Sequence, residues 1–254
     1  MKIAEGWMLY EALLAGMTGI RANERITEII RGEIWTGVIA GEFMGVAMSM
    51  PDEGRQASYH LRIGMSLREA AQAIYSWNMA ESSVAMAAIN CYYNQKDCRL
   101  QQKTAETIDI FRVYEGLIKE KVVAVIGHFP LPESYRRDSK ALYILERRLQ
   151  EGDYPDSACE YVLSEADYVF ITGSTWINKT ITRLLQLSRD EVIMTGPSTP
   201  MAGQLLGFSI SVLAGFCVTD IAGCREMIQG NSCRGIFSTG EMVLLRKSTM
   251  EGEK

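Results

Sequence analysis

An α+β part followed by an α/β part on a mostly parallel sheet is the architecture that this 254-residue sequence predicts. Two contrasts carry the prediction. The first half runs helix, strands, helices, whereas the second alternates short continuous apolar runs with helix-like segments, the pattern of strands buried on both faces. Between them, Asn94 to Lys103 is almost entirely polar and reads as a linker, which sets the predicted domains at 1–103 and 104–254.

Taken in order, Ile3, Trp7, Tyr10, Leu14 and Met17 recur at steps of four and three, one face of an amphipathic helix. Ile26 to Ala40, rich in Ile, Val, Thr and Trp, is strand material; Gly41-Glu42 is a turn, and Met44, Val46, Met48 and Met50 alternate with small residues as in a half-buried strand. Pro51-Asp52-Glu53-Gly54 closes this region as a loop. Ser66-Leu67-Arg68-Glu69 fits a capping box, so a helix begins there, and the Ala-rich, nearly uncharged stretch Glu81 to Tyr93 forms another that packs closely. Past the linker, Ile108, Phe111, Leu117 and Ile118 mark an amphipathic helix. The runs 122–126, 141–145, 168–171 and 192–194 are parallel strands in a Rossmann-like arrangement, with Glu241 to Arg246 as a late strand. The apolar runs Ser82 to Tyr93 and Leu205 to Val218 are too short to span a bilayer, which takes about 20 residues, and read as buried core elements.

Composition narrows the function classes. Lys and Arg number 26 against 31 Asp and Glu, and a net charge of -5 argues against general nucleic-acid binding. Six cysteines include no C-x-x-C pair, and there are two histidines, so the paired-ligand spacing of structural zinc sites is missing. Glu5 and Glu11 interrupt the apolar stretch a secretory signal would need; a cytoplasmic protein with reduced thiols and no membrane segment is expected.

In open α/β sheets, ligands bind beyond the carboxyl ends of the strands, where loops converge and helix N-termini present free N–H groups. Those positions hold Gly127-His128-Phe129-Pro130, then Glu146, then Thr172-Gly173-Ser174-Thr175 with Asn178, then Gly196-Pro197-Ser198-Thr199-Pro200. His128 can serve as acid/base or metal ligand, since imidazole changes charge near neutral pH. Glu146, 19 residues after Gly127, either accepts hydrogen bonds from a ribose diol or is a solvated charge opening Glu146-Arg147-Arg148. Thr172, Ser174, Thr175 and Asn178 suit an oxyanion or carbonyl at a helix start, or simply cap that helix. Two prolines stiffen Ser198 and Thr199, as a pre-positioned ligand loop or a rigid turn. The first loop has no G-x-G-x-x-G, so an NAD-dependent dehydrogenase is disfavoured.

These blocks, together with Gly152-Asp153-Tyr154-Pro155, Ala166-Asp167, Leu213-Ala214-Gly215 and Asp220, resemble the heavy-metal chelation family of mostly prokaryotic proteins. The resemblance covers nearly the whole chain. It implies an N-terminal domain similar to that of enolase, a Rossmann-like domain partly similar to methyltransferases, and an active-site cleft between them. Asn90, in Ala87-Ala88-Ile89-Asn90, is the contribution it implies from the first domain; Cys91 departs from the small residue expected there. The family name reflects a role in metal chelation or in making chelating, pterin-like or flavin-like molecules.

Three functions compete. The first is a small-molecule-binding protein or enzyme, performing condensation or hydrolysis, with His128 and Asn178 as catalytic groups and Asn90, Glu146, Thr172, Ser174, Thr175, Ser198 and Thr199 around the ligand. The second is direct metal binding by thiolates, with Cys217 and Cys224 seven apart on one helix face and Cys233 nearby. The third is an S-adenosylmethionine-dependent methyltransferase. The sequence names no cofactor and is compatible with a homodimer.

Overall fold

The computed structural model describes residues 3–95 and 109–246. The first part begins with helix α1 (Ile3–Ala15), followed by strands β1 (Ile26–Arg31), β2 (Trp35–Ala40) and β3 (Phe43–Met48) in an antiparallel sheet of order β1-β2-β3. The expected capping box starts α2 (Leu67–Ala71): Ser66 Oγ accepts from the Glu69 N–H at 3.2 Å, and the Glu69 carboxylate accepts from the Ser66 N–H at 2.7 Å. Helix α3 (Met79–Tyr93) is buried from Glu81 to Cys91 and lies directly on β3. A glycine makes this approach possible, because a Cβ on Gly45 would stand 2.0 Å from the Cys91 nitrogen and 2.2 Å from the Ala87 carbonyl oxygen.

The second part contributes α4 (Ile110–Tyr114), β4 (Val122–Ile126), α5 (Glu133–Asp138), β5 (Ala141–Glu146), β6 (Tyr154–Pro155), α6 (Cys159–Val162), β7 (Tyr168–Thr172), α7 (Ile181–Leu187), β8 (Glu191–Thr195), β9 (Val212–Val218), α8 (Ile221–Gln229) and β10 (Gly240–Arg246). Its seven-stranded sheet has the order β10-β9-β8-β7-β4-β5-β6 and is parallel except for β10. Strand order therefore runs outward in both directions from the β4/β7 pair, which places the switch point of the sheet at their carboxyl ends.

Alternate residues of each strand serve opposite faces, as a doubly covered sheet requires. Val123, Val125, Phe170 and Ile193 pack with Ile110, Phe111, Tyr114 and Tyr135 on one face. Ala124, Ile126, Val169, Ile171, Val192, Met194 and Leu213 join α1, α2 and α3 on the other, in one cluster with the first part's core. The small sheet also meets α8, where Trp35, Val46, Phe216, Cys224 and Ile228 pack together and Arg225 forks onto Glu28 at 2.7 Å. The two parts thus share a continuous core.

Three expectations need correction. Asn94, taken as the start of the linker, is buried and binds across the parts: its amide donates to the carbonyls of Thr199 (2.9 Å) and Phe216 (3.1 Å) and accepts from the Met201 N–H (2.9 Å). The rest of the linker beyond Gln95, the domain boundary at 103/104 and Ile108 lie outside the described residues. Helix α4 ends at Tyr114 rather than reaching Ile118, because Gly116 favours leaving the helix and the chain turns, with the Leu117 N–H on the Tyr114 carbonyl. The run 205–218 divides: a 3-10 turn ends at Gly207, Ser209 adopts φ 61°, and only Val212–Val218 is strand. Among the described residues, no helix is long and apolar enough to cross a membrane.

Candidate functional site

Gly127 follows β4 at φ +102°, a conformation that L side chains rarely adopt, and a Cβ there would also stand 3.0 Å from Thr172 Cγ2 at the end of β7. This turn lifts His128 off the sheet edge. Its Nδ1 lies 3.3 Å from Asp153 Oδ2; the imidazole is 36% exposed and the carboxylate side chain 1%. Asp153 is fixed in turn, since Oδ2 accepts from the Gln150 N–H (2.9 Å) while the Asp153 N–H donates to the Gln150 carbonyl (3.1 Å). A buried carboxylate facing Nδ1 favours the tautomer protonated there, leaving Nε2 as the nitrogen that can meet a ligand. Phe129, after His128, turns into the core against Phe111 at 5.2 Å, whereas Tyr154, 43% exposed, follows Asp153 and meets Tyr143 edge-on at 5.3 Å.

The other predicted site residues separate into two groups. Glu146 and Thr172 end the strands on either side of β4. The Glu146 carboxylate folds back on its own loop, accepting from the Arg147 N–H at 2.7 Å. Thr172 Oγ1 lies 3.1 Å from Ser174 Oγ, and the Thr172 carbonyl accepts from Thr175 Oγ1 at 2.7 Å, so these hydroxyls brace the turn after β7. Asn178 is occupied at the start of α7, its side-chain carbonyl accepting from both Thr180 N–H (3.2 Å) and Thr180 Oγ1 (2.6 Å).

Ser174, Thr175, Ser198, Thr199 and Asn90 are buried. Ser198 Oγ accepts from the Met48 N–H at 2.8 Å, and the Asn90 amide donates to the carbonyls of Val46 (2.8 Å) and Pro197 (3.1 Å). The Gly-Pro-Ser-Thr-Pro loop is therefore clamped by β3 and α3 where the sequence suggested an open cleft. Asn90 Oδ1 and Thr199 Oγ1 are buried and find no hydrogen-bond partner among the described residues. A surface cleft of about 210 Å³, lined by Glu42, Phe43, Asn94, Gln95 and Thr219 among others, lies at the C-terminal end of α3 and does not include His128.

Two residues escaped sequence reasoning. Asp153 stood in a glycine turn, and nothing local announces that the turn folds under His128. Lys179 follows Asn178 at φ 64° with its amine under α3, and burial lowers its pKa to about 7. The thiols, by contrast, do not converge as expected. Cys217 lies in β9 and Cys224 in α8, so they share no helix; both are buried, and burial raises the Cys224 thiol pKa. Burial pushes Cys91 up to about 12, away from the thiolate form that binds metal. Among the described residues, no three His, Cys, Asp or Glu side chains are grouped to hold a metal ion.

Fold and site define a two-part α/β protein with an imidazole–carboxylate pair at the carboxyl edge of its larger sheet. The chain belongs to the family described as "Putative heavy-metal chelation": the DUF364 model matches residues 109–246, and a second model of the same description, DUF4213, matches residues 10–93. A DUF364-family crystal structure from Desulfitobacterium hafniense is similar at 34% identity and TM-score 0.85, covering 95% of this chain and 98% of that one. Another from Pyrococcus horikoshii, at 23% identity and TM-score 0.78, shares the fold over 94% of this chain and 100% of that one. An uncharacterised protein of Methanocaldococcus jannaschii is 26% identical over 220 residues, 83% of this chain and 82% of the relative.

Proposed function

We propose that the chain binds a planar polar heterocycle, pterin-like or flavin-like, at the carboxyl edge of β4, β5 and β6. There His128 Nε2 gives or takes a proton in a condensation or hydrolysis that makes or handles a metal-chelating compound. The observation carrying this reading is the His128–Asp153 pair, an exposed imidazole held by a buried carboxylate. Two features support it. The strand order reverses beside His128, as in Rossmann-like sheets, and the exposed ring of Tyr154 follows Asp153. On this reading Thr172 and Glu146 flank the ligand. Asn90, Ser174, Thr175, Asn178, Ser198 and Thr199 hold the loops behind it.

The experiment is a fluorescence titration with pterin-6-carboxylate, comparing the protein with His128→Gln. Saturable binding lost in the variant supports the assignment; equal binding by both proteins removes it. Direct thiolate coordination has weaker support, because burial disfavours the thiolates of Cys91 and Cys224.

A further inference from the structure

Strand β10 ends the larger sheet on one side. Its seven residues pair with β9 from Gly240↔Val218 to Arg246↔Val212 without a bulge, and no described strand lies beyond it. Sheet edges in soluble proteins are ordinarily blunted by short strands, proline, bulges or charge, because unpaired N–H and C=O groups invite another strand. The opposite end of this sheet follows that rule, since β6 has two residues and the second is Pro155. β10 does not. Met242-Val243-Leu244-Leu245 is apolar without interruption, and charge enters the strand only at Glu241 and Arg246.

The hydrogen bonds around β9 fix which backbone groups of β10 are unpaired. The Thr219 N–H bonds to the Thr239 carbonyl, whereas the Ala214 carbonyl turns the other way, to the Gly196 N–H. Opposite residues in an antiparallel pair alternate between bonded and non-bonded. The residues of β10 bonded to β9 are therefore Glu241, Val243 and Leu245, opposite Cys217, Gly215 and Leu213. Gly240, Met242, Leu244 and Arg246 aim their N–H and C=O groups outward, where no backbone of another element meets them among the described residues.

We propose that β10 is a dimerisation edge, along which two copies of the chain pair antiparallel about a two-fold axis at Val243 and join their sheets into one. The symmetry of the edge selects a second copy as the occupant. A two-fold axis normal to the sheet keeps every residue on its own face, so residues that stand opposite each other differ by an even number. With the axis at Val243, Gly240 faces Arg246 of the partner subunit and Met242 faces Leu244 of the partner subunit. The outward-facing residues of each copy thus meet outward-facing residues of the other, and every one of the groups named above finds a partner. Apolar side chains meet on both faces, Val243 against its own copy and Met242 against leucine, and no like charges are opposed. The pairing also closes both free edges at once, which an unrelated strand does not do. The inference does not depend on the ligand assigned to His128.

Sedimentation equilibrium of the full-length chain tests it, together with amide exchange followed by NMR. The wild type should sediment at twice the 28.4 kDa mass of one chain, with slow exchange at the Met242 and Leu244 amides. Leu244→Pro removes an outward N–H that makes no bond to β9, the kind of edge position where a strand tolerates proline, and should halve the mass. If that variant does not fold, Met242→Lys takes its place, adding charge to the edge with the same expected result. A monomeric wild type overturns the proposal, and slow exchange of those amides in a monomer would assign the edge to another segment of the same chain. A dimer that persists unchanged in the folded variant also overturns it.

Discussion

Asp153→Asn keeps the shape of the side chain and removes its charge. In the protein Asp153 Oδ2 lies 3.3 Å from His128 Nδ1 and accepts from the Gln150 N–H at 2.9 Å, with 1% of the side chain exposed. An asparagine oxygen can still accept from one of these donors, so the 147–153 loop should keep its path. What is lost is the charge-assisted contact to the imidazole and its preference for the tautomer with Nδ1 protonated. Ion pairs with an exposed partner contribute about 0.2–1 kcal/mol, and each 1.4 kcal/mol is tenfold in affinity. Pterin-6-carboxylate should accordingly bind Asp153→Asn up to about fivefold more weakly, at an almost unchanged Tm. The assay is fluorescence titration beside His128→Gln. If His128→Gln abolishes binding while Asp153→Asn binds like wild type, the carboxylate does not position the imidazole and the reasoning fails.

Other expectations concern the joint between the two parts. Gly45→Ala should cost about 3 kcal/mol or more, read as a fall in Tm of roughly 10 °C, because the added carbon meets the α3 backbone at 2.0 Å. Asn94→Ala should cost a similar amount in denaturant unfolding, since it strips partners from Thr199, Phe216 and Met201. Thr199→Val, by contrast, removes a buried hydroxyl with no partner among the described residues and should be neutral or stabilising by about 1 kcal/mol; a large loss would show that the hydroxyl is satisfied. Lys179→Met should stabilise the protein below pH 7. A folded pKa of about 7 in place of 10.5 corresponds to a penalty of at most about 5 kcal/mol for burying the ammonium. That penalty stands in full below pH 7 and is relieved as pH rises toward 10.5, so the advantage of the variant should shrink over that window in pH-dependent urea melts. A constant difference would contradict it.

Much of the fold was legible because burial writes periodic patterns. Val122 to Ile126 and Tyr168 to Ile171 are apolar throughout because both faces of their strands are covered, and the Ser66/Glu69 box announces α2 through chemistry confined to four residues. Strand β9 was harder to see. Leu205 to Val218 is apolar from end to end, and the break at Ser209 depends on a backbone conformation that composition does not reveal. The linker misled at Asn94, whose polarity serves buried carbonyls instead of solvent. Site residues were legible as positions at strand ends but not as partners. His128 is recognisable as the imidazole after β4, yet whether Ser198 faces a ligand or the Met48 backbone depends on how α3 and β3 pack across the sheet. Asp153 meets His128 across 25 residues of chain, a contact made by the crossing of β5 and its return loop.

With His60 and His128 the two histidines of the chain, imidazole nitrogen NMR reads the site directly. In neutral His128, a carboxylate at Nδ1 should hold the proton there, giving Nε2 the shift of an unprotonated nitrogen; Asp153→Asn should move the population toward the opposite tautomer, with His60 unchanged. A wild-type His128 already protonated at Nε2, and unaffected by Asp153→Asn, would contradict the account.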